Sequence, residues 1–96
     1  MTSQLSKQLG ECIRELRLQI GLSQVEFGER CGFYQTYLSR IENGRANPTL
    51  NAVEVIANTL GLTVFDLFAM VREQMPAPKG RKPVKTKQSN RGNPKS

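Results

Sequence analysis

Leu5, Leu9, Ile13, Leu16 and Ile20 recur at steps of three and four, so they share one face of a helix predicted from about Ser6 to Ile20, with Gly21 as its stop. Ser23 stands three residues before Glu26, the spacing at which a hydroxyl and a carboxylate satisfy each other's orphan amides, and this opens a second helix from Gln24 to about Cys31. A third runs from Gln35 to Asn43, with Leu38 and Ile41 on its inner side and Gly44 beyond its end. After the loop GRANP, Thr49 is placed to cap a fourth helix whose Val53, Ile56, Ala57 and Leu60 share a face, and Gly61 ends it. Thr63 and Asp66 repeat the capping spacing before Val64, Leu67, Phe68 and Val71, which carry a fifth helix to about Glu73. Nowhere does the period-two alternation of a half-buried strand appear, so the expected fold class is all-α with five helices.

Composition adds a division of the chain. With 96 residues, 38% hydrophobic and 6% aromatic, there is material for one small aliphatic core, placed in residues 1–75. The formal charge of +6 is not spread evenly. Met1 to Met75 holds seven Lys or Arg against eight acids, a net −1, whereas residues 76–96 hold seven basic residues and no acid. This basic tail, PAPKGRKPVKTKQSNRGNPKS, has four prolines, two glycines and Val84 as its single aliphatic residue larger than alanine. It is expected to be disordered, and suited to a sequence-blind grip on a polyanion. Cys12 and Cys31 fall on apolar helix faces, where a thiol acts as a small hydrophobe. With no histidine, no CxxC, one aspartate and no glycine-rich phosphate loop, a metal site, a cofactor, a small-molecule ligand and catalysis all lack support. No run approaches the roughly 18 apolar residues of a spanning helix, so a cytoplasmic protein without a membrane segment is expected.

The most informative stretch is Ser23 to Gly44, SQVEFGERCGFYQTYLSRIENG. Counting from Gln24, Gly28 is fifth, where two crossed helices touch, and Gly32 is ninth, where the turn needs a positive φ. Phe27, Cys31, Phe33, Leu38 and Ile41 fill the angle between them. This is the pattern of a helix-turn-helix over residues 24–43, whose second helix would lie in the major groove of double-stranded DNA. Gln35, Thr36, Ser39 and Arg40 then project outward as candidate base readers, since Gln matches adenine, Arg matches guanine and the Thr methyl packs on thymine. Gln24 at the start of helix two, Tyr34 and Tyr37 beside the readers, and Asn43 and Arg45 beyond helix three are candidate phosphate contacts. A single such domain buries little surface, so a homodimer on a near-palindrome is expected. Phe65 and Met70, on the less buried sides of helix five, with Val55 or Asn58 of helix four, are the candidate interface.

From Leu9 to Phe68, including NPTL and LGLTVFDLF, the chain resembles the Cro/cI, or XRE-like, helix-turn-helix regulators of phage and bacteria. The resemblance implies a lambda-repressor-like five-helix DNA-binding domain, operator binding and frequent dimerisation, and a bacterial or phage protein of this kind is expected to be cytoplasmic and nucleoid-associated. It also implies a structural pair between a helix-one arginine and the glutamate ending the recognition helix, here Arg17 and Glu42. The block QTYLSRIENGRANPTL is similar to the small controller proteins of restriction-modification systems. The chain departs from the pattern at Tyr34, where Ser or Thr usually caps helix three, and at Gly28, usually alanine. An antitoxin-type or other protein-binding module built on the same fold is the alternative reading.

Overall fold

Four of the five helices begin where a side chain satisfies one of their first amides. The computed structural model describes residues 3–74, and the expectation for the tail, 76–96, lies outside them. The elements are α1 (Gln4–Gln19), α2 (Gln24–Cys31), α3 (Gln35–Glu42), α4 (Leu50–Thr59) and α5 (Val64–Gln74), with no strand among the described residues. The Ser3 hydroxyl accepts from the Ser6 amide at 3.0 Å, which starts α1 two residues ahead of the expected Ser6. Ser23 and Glu26 form the reciprocal box, at 3.0 and 2.9 Å. The Ser23 amide, and after it the Ser23 hydroxyl, hold the Glu26 carboxyl below its usual range. Thr49 caps α4, and Thr63 and Asp66 exchange two bonds at the start of α5.

Tyr34 has the extended backbone of a cap, φ −69° and ψ 148°, but its side chain accepts no hydrogen bond from the first amides of α3. Its ring is 86% exposed, so little packing is lost by removing it. Tyr34→Ser is therefore expected to stabilise the domain by about 1 kcal/mol, which thermal unfolding would read as a rise of roughly 4 to 8 °C.

The inward faces meet in one core. Cys12, Ile13, Phe27, Leu38, Ile56, Ala57 and Leu67 are fully buried there, α1 packing on α3 and α5 while α4 closes the far side against α2 and α5. Burial raises both thiols above their usual range; Glu15 adds to this at Cys12, and the Thr59 hydroxyl opposes it at Cys31. Leu5 and Ile20, counted on the apolar face of helix one, are each 48% exposed, because they sit at its two ends. Phe33 is half-buried and meets Tyr37 edge-on, ring centroids 5.2 Å apart. No single helix among the described residues is long and apolar enough to cross a membrane.

Two glycines bring α1 directly onto the end of α3. A Cβ added at Gly10 would collide with the Ile41 carbonyl oxygen and lie 2.7 Å from that of Glu42. At Gly44, φ is +71° and a Cβ would lie 2.9 Å from Lys7 Cα. Backbone rests on backbone at this joint, which fixes how α3 stands relative to the rest of the domain.

Candidate nucleic-acid interface

The turn between α2 and α3 follows from its two glycines. Gly32 ends α2 at φ 79°, in the left-handed region, and the Phe33 amide donates back to the Gly28 carbonyl at 2.8 Å. Gly28 is buried at the crossing, where an added Cβ would stand 2.9 Å from the Phe33 oxygen. Alanine there would force α2 and the turn to shift apart.

On α3, Leu38, Ile41 and Glu42 point inward and are buried. Gln35, Thr36, Arg40 and the cap residue Asn43 are exposed and Ser39 is half-buried; at about 100° per residue these five span roughly 140° of the outer surface. That surface carries no acid. Arg40 leans toward the following loop, its Nη2 3.4 Å from the Arg45 carbonyl, and Asn43 Nδ2 is 3.4 Å from Ser39 Oγ. Arg45 itself is exposed beyond the helix, its amide donating to the Arg40 carbonyl at 2.8 Å. Tyr34 stands free beside the first turn, whereas Tyr37 is half-buried against Phe33.

Behind the outer surface the Arg17–Glu42 pair implied by the resemblance is present, and it anchors a longer chain of hydrogen bonds that the residue pattern did not reveal. Arg17, 6% exposed, donates through Nε to Glu42 Oε2 at 2.7 Å and through Nη2 to Oε1 at 3.0 Å, while Nη1 donates to the Leu22 carbonyl at 2.7 Å. Glu42, 4% exposed, also accepts at Oε1 from Gln24 Nε2 at 3.0 Å. Gln24 Oε1 in turn accepts from Gln35 Nε2 at 3.0 Å. Gln24, a candidate phosphate contact at the start of α2, has its side-chain oxygen and one N–H engaged within the protein, so that it also stands as a prop between the buried ion pair and Gln35. The available signal was the pairing of two long amides on helices that the glycine spacing had already brought together.

The residues expected at a dimer face do not form one patch. Phe65 is 84% exposed, Val55 37%, and Asn58 is exposed, but Met70 packs partly against the core. Phe65 and Met70 are five residues apart on α5, about 140° around the helix, so they flank it on opposite sides. Their sequence separation already implied this.

A family model described as a helix-turn-helix domain matches residues 8–67. An uncharacterized HTH-type transcriptional regulator, y4dJ, of Sinorhizobium fredii is 40% identical over 69 residues, 72% of this chain and 90% of that protein. Control protein C.BamHI of Bacillus amyloliquefaciens is 34% identical over 69 residues, 71% of this chain and 85% of its own. Among solved structures, the restriction-modification controller protein C.AhdI of Aeromonas hydrophila matches with a TM-score of 0.63 and 30% identity, over 66% of this chain and 96% of that one. With the motif glycines, the α2–α3 crossing and these matches in agreement, the chain belongs to the helix-turn-helix family of DNA-binding transcriptional regulators, of the XRE or Cro/cI type.

Proposed function

We propose that the protein regulates transcription in the cytoplasm as a homodimer on a near-palindromic operator, in the manner of a restriction-modification controller. The observation that carries this reading is the outer surface of α3: it is free of acids, and its first residue, Gln35, is held from behind by Gln24. Because residues 1–75 carry a net charge of −1, DNA attraction in this part of the chain has to be local. Gln35, Thr36, Ser39 and Arg40 supply base contacts, and Tyr34, Tyr37, Asn43 and Arg45 line up along the flanking phosphates, with Gln24 serving chiefly as support. The likeness to C.BamHI and C.AhdI supports the controller reading.

Selection of bound duplexes from a random pool tests the proposal, the expected result being a two-fold consensus with half-sites about 34 Å apart, or one helical turn. Gln35→Ala and Arg40→Ala should each flatten the consensus at one base pair, a loss of about 1 to 3 kcal/mol of discrimination. An unaltered consensus in both variants would remove these residues as readers.

Dimerisation is assigned to the exposed Phe65 with Val55 and Asn58, leaving Met70 at most on the margin. Phe65→Glu should shift the sedimenting species to monomer and weaken operator binding while helix content stays constant, because the ring has little to lose within its own chain. A dimer that survives this change would place the interface elsewhere.

A further inference from the structure

The hydrogen-bond chain has a direction, and the direction has a consequence for base choice. We infer that Glu42, held by Arg17, sets the polarity of the two amides beyond it and thereby makes Gln35 select adenine over guanine. This rests on the reading of α3 as the recognition helix.

A glutamine amide has nearly the same shape whichever way it is turned, so an isolated one offers donor and acceptor interchangeably. Gln24 is not free to turn. It faces the Glu42 carboxylate, which only accepts and which Arg17 grips from the other side through two bonds. Gln24 must therefore present its NH2 to Glu42, and its carbonyl oxygen is left facing Gln35. Gln35 answers with its own NH2, at 3.0 Å. Both flips are decided by a charge buried between α1 and α3, two side chains from the exposed surface.

What remains on Gln35 is one N–H and the carbonyl oxygen. The major-groove edge of adenine offers one acceptor, N7, and one donor, the N6 amine, which is the complementary set. Guanine offers two acceptors, N7 and O6. Serving both would take the two N–H groups of one amide, and Gln24 already holds one of them; the Gln35 oxygen would then stand against guanine O6. The ion pair thus acts as a positioning element for readout as well as a joint between helices.

The test uses the consensus duplex selected from the random pool and a second duplex with adenine replaced by guanine at the base pair whose preference Gln35→Ala abolishes. The readout is the ratio of the two dissociation constants. Each constant scales with the fraction of folded protein, so their ratio is independent of it, and a destabilised variant remains informative. Gln24→Leu, which keeps the bulk of a half-buried side chain without its hydrogen bonds, should lower the adenine preference by roughly fivefold or more. Glu42→Gln should do the same, because its amide can face Gln24 in either sense. The double variant Arg17→Met/Glu42→Leu removes the charge without stranding its partner, and it should lower the ratio equally. The preference at the base pair read by Arg40 should stay constant in all three. An unchanged adenine-to-guanine ratio in the double variant, with Gln24→Leu lowering it, would overturn the role of Glu42. A ratio unchanged in every variant would overturn the relay altogether. Should Gln35→Ala alter no base preference anywhere, the assignment of Gln35 as a reader fails first, and the relay with it.

Discussion

Glu42→Ala is expected to lower the free energy of unfolding by about 3 to 5 kcal/mol, enough to consume much of the 5 to 15 kcal/mol that holds a domain together. The reason lies with the partner. Arg17 is 6% exposed, and two of its three bonds end on Glu42, so alanine leaves a guanidinium out of water with only the Leu22 carbonyl to meet it. Arg17→Met/Glu42→Leu should recover most of the loss, because an apolar pair of similar volume has no desolvation to offset. Urea titration of the two variants checks both halves. Equal losses in the single and double variants would mean that the pair contributes through its attraction rather than through the harm of breaking it. Recovery of stability without recovery of adenine preference would separate the structural role of Glu42 from its role in readout.

The helices were legible because local rules and tertiary packing agree. Ser23 with Glu26 and Thr63 with Asp66 cap where their spacing says they should, and Phe27, Leu38 and Ile41 are buried as their periodicity requires. The glycine spacing located the turn because a positive φ at position 32 is a backbone requirement, readable from one residue. Three things escaped. The start of α1 moved to Gln4 because a serine three residues ahead of Ser6 supplies a cap that an apolar pattern cannot reveal. The engagement of Gln24 depends on where Glu42 ends up in space, eighteen positions later, and a residue-by-residue assignment of roles treats such amides as independent. Gly10 attracted no notice because a glycine within a helix reads as a propensity cost, and its reason for being there is a neighbour thirty residues away.

That neighbour makes Gly10→Ala informative. In a solvent-facing helix interior the change would stabilise by up to about 1 kcal/mol, through propensity alone. At position 10 the new methyl would meet the Ile41 and Glu42 carbonyl oxygens, and neither can yield as the end of a flexible side chain could. Either α1 withdraws from the end of α3, opening voids around Ile13 and Ile41, or α3 tilts; overpacking of this kind costs about 3 kcal/mol, so the net change is expected to be destabilising in spite of the propensity gain. Urea titration decides the sign, and a stabilised variant would show that α1 and α3 are not in backbone contact. Withdrawal also moves Glu42 relative to Arg17, since the two carboxylate oxygens are met from α1. The variant should therefore lose adenine preference together with stability, whereas a core truncation on α4, which packs chiefly on α2 and α5, such as Ile56→Val, should lower stability and leave the preference intact. On the proposed relay, base selection depends on a contact that no DNA-facing side chain makes: the closeness with which Gly10 lets the first helix press on the last carbonyls of the third.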